Sequence, residues 1–329
     1  MVKIIKKSKI KKNIYLFLIL GIILIFATYL SSIFLDNVDE SKNKSTNNQK
    51  MAEYKNNKKL DKSEKKLIIE RYIKQKNKLE LKDNSQLKNK SKNKLDESNI
   101  NKQYGISNSI VIIIDDAGMN INKLNDLLSL KLKNLTIAFL PYSNNLDYQV
   151  NLVNDSGYDI LVHMPMEPEN ISIDPGPNAL LTSHSVEQLK LNIDKNLSKF
   201  DKYVGINNHM GSKFTSDSKS IKNFFEIIKS RDIIFVDSKT TSNSLAAKIS
   251  NEYNIPTLSR DVFIDNIHDK DYVLSQLKKA EKISKTKGYV VVIGHLQKWT
   301  IDALAEWYPI AKKKGIILDS VSSIIEKKN

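Results

Sequence analysis

The chain has 329 residues, 40% of them hydrophobic, with no cysteine and a formal net charge of +15. Without cysteine there can be no disulfide framework, thiolate metal site or cysteine nucleophile, so any chemistry must rest on His, Asp, Glu, Ser or Lys. The charge is lopsided: residues 1–105 hold 25 Lys and Arg against 11 Asp and Glu, whereas residues 106–329 hold 27 against 26. With no basic motif interleaved with aromatics, this pattern argues against nucleic acid as a partner.

Lys3, Lys6, Lys7, Lys9, Lys11 and Lys12 precede 22 residues, 14–35, without one charged side chain. That length spans a bilayer core. Asp36, Asp39 and Glu40 follow, and the lysine asymmetry places residues 1–13 in the cytoplasm and everything after residue 35 outside it. No A-x-A site follows the run, which favours an uncleaved single-pass anchor in the inner (cytoplasmic) membrane over a signal peptide. Residues 36–105 are rich in Lys, Asn, Ser and Glu, a composition too poor in apolar surface to order itself, and read as a mostly disordered tether. Leu60, Leu67, Ile68, Tyr72 and Ile73 interrupt it at loosely helical spacing.

From residue 109 onward, short β-branched runs alternate with stretches of helical spacing, the pattern of βα units around a parallel sheet. The runs are SIVIII at 109–114, LTIAFL at 135–140, DILVH at 159–163, YVGIN at 203–207, DIIFV at 232–236, TLS at 257–259, YVVVI at 289–293 and GIIL at 315–318. Between them, 143–157, 185–200 and 216–232 read as helices, several opening on Ser or Asp as N-caps. Strands this uniformly apolar suit a sheet covered by helices. Seven or eight of them within 106–329 predict an α/β fold, a deformed (β/α) barrel, with an open doubly wound sheet as the alternative. The segment 164–184 holds four prolines and a glycine, which forbid a continuous helix or central strand and predict a structured loop beside the site.

In such a barrel the active site is built where the strands end, and polar residues fall there in order. Asp115 and Asp116 follow the first strand, His163 ends the third, Asn207, Asn208 and His209 follow the fourth, Asp237 the fifth and His295 the penultimate. Adjacent carboxylates at a strand end point in different directions, so one can bind a cation and the other take a proton. The plainer reading of the pair is a helix cap. Asp116, His163 and His209 together supply one carboxylate and two imidazoles, the ligand set of catalytic zinc sites that keep a position open for water. His295, after a glycine that lets the backbone turn, can protonate a leaving group or serve as a cap. Glu167, Asn208, Asp237 and Asp261 are supporting candidates for contacting substrate or orienting a metal-bound histidine, with a fourth ligand as a further role for Glu167. No G-x-S-x-G, Walker or G-x-G-x-x-G pattern occurs, which removes the serine hydrolase, nucleotide and nicotinamide readings. Trp299 and Trp307 read as packing on one helix face.

Taken together, IIIDDAG at 112–118, HMPMEP at 163–168, INNHMGSKFT at 206–215, FVDSKTT at 235–241, RDVFID at 260–265 and GH at 294–295 resemble the divergent polysaccharide deacetylase family. That family is a remote branch of the NodB-like carbohydrate esterases. The resemblance implies a deformed seven-stranded barrel and a divalent metal, usually zinc, that activates water to remove an acetyl group from a sugar. It implies Asp115 as general base and Asp116 as metal ligand, by analogy with a T-F-D-D motif. His163 matches the first histidine of an H-x-x-x-H motif whose second histidine is replaced by Glu167, which leaves His209 as the candidate third ligand. His295 matches a late histidine that acts as general acid, with Leu296 where a proline commonly follows. The whole then reads as a membrane-anchored, periplasmic hydrolase acting on an envelope glycan. The alternatives are an inactive deacetylase-like binding or scaffold protein and a hydrolase of another ester or amide. The sequence names no protein partner.

Overall fold

A computed structural model describes residues 108–328. The segments expected at 1–13, 14–35 and 36–105 lie outside the described residues, among which no helix is long and apolar enough to cross a membrane. The strands are β1 Ser109–Ala117, β2 Thr136–Phe139, β3 Asp159–Met166, β4 Gly205–Met210, β5 Ile234–Asp237, β6 Thr257–Ser259, β7 Val262–Phe263, β8 Tyr289–His295 and β9 Ile317–Asp319. The helices are α1 Ile121–Ser129, α2 Leu146–Asp155, α3 Val186–Leu197, α4 Ser218–Ile228, α5 Ala246–Ser250, α6 Lys270–Lys287, α7 Lys298–Lys313 and α8 Val321–Lys328. Short polar side chains start several of them. Asn120, Ser185, Asp217 and Asp269 each accept a backbone N–H one turn into α1, α3, α4 and α6, where the amides have no partner within the helix.

Every strand pairing is parallel, in the order β6-β5-β4-β3-β2-β1-β8-β7, with β9 also on β1. The two ends of this order are one piece of chain. The Arg260 amide donates to the Asp237 carbonyl of β5 and the Asp261 amide to the Val291 carbonyl of β8, so the segment 257–263 joins both edges of the curled sheet. That is the architecture of a deformed (β/α) barrel rather than an open doubly wound sheet. Part of the deformation lies at β1. Since β8 lines one edge from Ser109 to Asp115, β9 and β2 share the other, β9 along Ser109–Val111 and β2 from Ile113 onward.

The period of two sorts the side chains. Val111, Ile113, Ala138, Leu161, Val236, Leu258, Val291 and Ile293 pack together with Val321, Ile324 and Ile325 of α8, forming an apolar interior closed by the last helix. The alternate residues, such as Ile110, Ile112, Ile114, Phe139, Val162, Ile206 and Phe235, pack against the surrounding helices. There Phe224, Phe225 and Phe235 meet edge to face at centroid distances of 5.1 to 5.6 Å, worth about 1 kcal/mol per pair beyond area burial.

Two features differ from the sequence reading. β3 runs on through Pro165 to Met166, although proline cannot donate to a ladder. Its carbonyl accepts from Leu180, on the side where β2 has already ended at Phe139, so no ladder bond needs the missing donor. β7 was unread because two residues carry too little periodicity to register. The proline-bearing segment does form a loop, tied back by the Met166–Leu180 bridge.

Candidate functional site

The inward rows that are apolar at the bottom of the barrel turn polar at the top. Asp115 continues the row Val111–Ile113, His163 follows Leu161, Asn207 and His209 follow Gly205, and His295 follows Ile293. Period two therefore delivers four strands' polar residues to one mouth, under a cavity of about 420 Å³. A more open depression of about 570 Å³ over Asn145, Asp147, Tyr148 and Lys199 holds no such cluster.

Asp116 would point outward by this alternation. A register shift between Ile114 and Ala117 and a φ of 59° at Asp116 turn it back, so both carboxylates face the cavity rather than diverging. Left-handed backbone at a non-glycine residue is a strain that Asp tolerates better than most. The result is a tight cluster. Asp116 Oδ1 lies 3.4 Å from His163 Nε2 and 3.2 Å from His209 Nδ1, and one ligand atom from each residue lies within 4.8 Å of the others.

Asn207 fixes the chemistry of His163. Its amide nitrogen donates to Asp115 Oδ1 at 2.8 Å and its carbonyl oxygen accepts from His163 Nδ1 at 2.8 Å. An ionised carboxylate only accepts, so the amide has this orientation and Nδ1 carries the hydrogen, leaving the Nε2 lone pair toward Asp116. Two acceptors facing each other at 3.4 Å need a proton or a cation between them. Asp116 Oδ1 is buried and meets no donor in hydrogen-bond geometry, a further sign that the donor set suits a cation. Asp116, His163 and His209 are the residues that could hold a metal ion.

Without an ion, a proton on His163 Nε2 fills the same place, and the groups of the cluster shift one another accordingly. Burial alone would raise the Asp116 carboxyl, but the His163 and His209 imidazoles beside it hold it well below the usual range. Burial drives Asp115 the other way, upward, against the charges of His163 and His295. His163 is raised because the Asp115 and Asp116 charges outweigh its burial, while burial and His163 lower His209. Across the mouth, His295 Nδ1 lies 3.0 Å from Asp265 Oδ1, and its Nε2 lies 3.8 Å from Asp116 Oδ2. Burial would lower His295, yet Asp265, with Asp115 and Asp116 beyond, pushes it up to about 9.

Residues 112–325 match the family described as divergent polysaccharide deacetylase. The chain belongs to the divergent polysaccharide deacetylase family. It is 29% identical over 196 residues to an uncharacterized protein of Haemophilus influenzae, spanning 59% of this chain and 69% of that one. It is 27% identical over 202 residues to the uncharacterized protein YibQ of Escherichia coli, spanning 61% of this chain and 62% of YibQ. Among solved structures, an uncharacterized protein from Agrobacterium tumefaciens C58 superposes with a TM-score of 0.65 at 21% identity, over 68% of this chain and 94% of that one. This last likeness supports the fold alone.

Within the matched domain the remaining expected residues lie as follows. Asn208 lines the cavity, where its side chain accepts from the Ser238 amide and donates to the Met210 carbonyl, tying two loops together. Glu167 turns to the loop instead. Its carboxylate accepts from the Thr182 amide and hydroxyl and from Lys213 Nζ, each at 2.7 to 2.8 Å. Asp237 shares the outward face with Phe235 and accepts from the Lys239 amide and the Ser244 hydroxyl. Asp261 accepts from Lys287 and the Val291 amide, between β7 and β8. These three brace the walls rather than line the cavity.

Asn207 in its bridging role, Asp265, and the cavity-lining Ser238, Lys239, Thr240 and Arg260 are polar residues of the site that sequence reasoning did not single out. Inward parity on β4 could have marked Asn207. Gly294 does not turn the backbone: a Cβ there would lie 2.7 Å from Ile264 Cγ1 and 3.4 Å from Asp265 Oδ2, so the glycine makes room for the Asp265 segment. Trp307 is buried, donating to Glu281, and Trp299 stacks on His268 at a centroid distance of 4.4 Å.

Proposed function

We propose that this domain is a metal-dependent hydrolase that removes acetyl groups from a cell-envelope glycan, held on the periplasmic side of the inner membrane by residues 14–35. The observation that carries the reading is the buried Asp116 Oδ1, faced by His163 Nε2 and His209 Nδ1, with Asp115 on one side and the His295–Asp265 pair on the other. Asp116, His163 and His209 would hold the ion, with zinc favoured by two imidazoles and a carboxylate. A bound divalent cation supplies Lewis-acid polarisation of an acyl oxygen and lowers the pKa of water.

The chain's own groups then account for the protons. Asp115, raised by burial and held through Oδ1 by Asn207, takes a proton from the attacking water as its oxygen bonds to the acyl carbon. His295, protonated at neutral pH, gives a proton to the sugar nitrogen or oxygen as the acyl bond breaks, so acetate and a free amine or hydroxyl leave. Asp265 keeps the imidazolium oriented through Nδ1. Phe263, Ile293 and Met210 form the apolar part of the cavity wall.

The test is acetate release from acetylated chitooligosaccharides and peptidoglycan fragments by the wild type and by Asp115→Asn. Release that depends on Asp115 supports the hydrolase. Bound metal with no release on any acetylated glycan would move the reading to an inert glycan-binding protein of the envelope.

A further inference from the structure

Two cations line the same cavity as the acidic cluster, and the chemistry described so far uses neither. Lys239 and Arg260 both border it. Arg260 donates through Nε to the Ser238 carbonyl and through Nη2 to the Lys239 carbonyl, and lies over the Phe263 ring at 5.0 Å. A guanidinium has five N–H donors, so the two carbonyls leave donors to spare. Among the described residues neither cation has a carboxylate within 4.0 Å, although the charges of Asp237, Asp115 and Asp261 act on Arg260 from further away. Asp237, whose charge acts on Arg260, is already engaged by the Lys239 amide and Ser244.

The backbone that presents Lys239 is held in an unfavourable conformation. Lys239 has a φ of 47°, fixed by its amide on Asp237, its carbonyl on Arg260, and the Thr240 hydroxyl on the Met210 carbonyl. Charge balance points the same way. A divalent ion would offset Asp115 and Asp116, His295 is offset by Asp265, and the charge of Asp237 acts on Arg260, which leaves Lys239 as the unmatched positive charge on this side of the cavity.

We propose that the Lys239–Arg260 wall is an anion subsite, so that the acylated substrate carries a carboxylate or phosphoryl group close to the acyl group that is removed. The inference rests on the hydrolase reading for the word substrate, but its test does not. A part-buried guanidinium beside an exposed ammonium group recognises such oxygens by charge-assisted hydrogen bonds.

The experiment is calorimetric titration of the full-length chain, as purified, with matched sugars. Di-N-acetylchitobiose is set against N-acetylglucosaminyl-N-acetylmuramic acid for the carboxylate, and N-acetylglucosamine against its 6-phosphate for the phosphoryl group. The charged member of at least one pair binds about tenfold more tightly or better, the preference shrinks as salt rises from about 0.05 to 0.5 M, and it disappears in Lys239→Met. Whichever pair shows the preference identifies the anion. Equal affinity within both pairs, no binding of either charged sugar below about 10 mM, or a preference that survives in Lys239→Met overturns the proposal. Acetate release by the wild type is read in parallel. Its absence on all four sugars counts against the hydrolase, while the binding preference stands or falls separately.

Discussion

Truncating Asn207 to alanine removes one carboxamide, which leaves the buried His163 Nδ1 and Asp115 Oδ1 unmatched and also takes a 3.2 Å bond from Ser238 Oγ. Asn207 is fully buried, and its bonds to His163 Nδ1 and Asp115 Oδ1 are both 2.8 Å long. A buried donor or acceptor left without a partner costs about 1–3 kcal/mol, so two cost about 2–6 kcal/mol. Water entering the vacated space beside the polar mouth moves the value toward the low end. The same substitution frees His163 to change tautomer and rotate, and loss of a partner that orients a ligand lowers metal affinity by about 10–100-fold. Urea unfolding of the metal-free protein reads the first effect, and competition with a chromophoric chelator reads the second. A variant that loses stability but binds metal as tightly as the wild type would refute the assignment of Asn207 as the group that sets the His163 tautomer.

Other substitutions probe separate parts of the structure. Asp265→Asn removes the main support of the His295 imidazolium, so an NMR titration of His295 in metal-free protein shows its midpoint falling from about 9. Because this folded-state value is raised, the stability it contributes is complete below the unfolded value of about 6.5 and is lost as pH rises through about 9; a thermal melt of wild type against Asp265→Asn across that window measures the difference. Gly294→Ala forces a Cβ to 2.7 Å from Ile264 Cγ1 and costs about 1–3 kcal/mol by overpacking, with His295 displaced from Asp265. An unchanged melt and His295 titration would show that the Ile264 segment yields freely. At the other end of the barrel, burial would raise Asp319, but bonds from Lys327 and Ser109 and the Lys327 charge lower it. Its contribution is therefore present above about pH 3.9 and lost as pH falls through the lower folded value; Asp319→Asn flattens that acid limb in a denaturation series.

Most of the barrel was legible because its strands are short runs of β-branched residues and its helices carry apolar faces and caps. Ser185 and Asp217 announced α3 and α4 by the same hydrogen bonds they make in the fold. β7 was not legible: two residues have no period of their own, and Val262–Phe263 is a strand only because β8 lies beside it. Pro165 misled for a similar reason, since whether a missing N–H matters depends on what lies across the strand. In the site, the carboxyl ends of the strands were readable, which is why Asp115, Asp116, His163, His209 and His295 could be set at one mouth. The turn of Asp116 could not be read, because it depends on a bulge that forms only against β2. Nor could the fates of Glu167, Asp237 and Asp261, whose partners Lys213, Ser244 and Lys287 are brought to them by tertiary packing.

The most direct test of the proposed metal site is the ion content of the purified full-length chain and of Asp116→Asn, measured by mass spectrometry of the elements after dialysis, with circular dichroism to confirm the fold. The site described here is expected to hold one divalent ion per wild-type chain and none in the folded variant. An equal, stoichiometric ion in Asp116→Asn, or a folded wild type that takes up no ion from excess zinc, would contradict it.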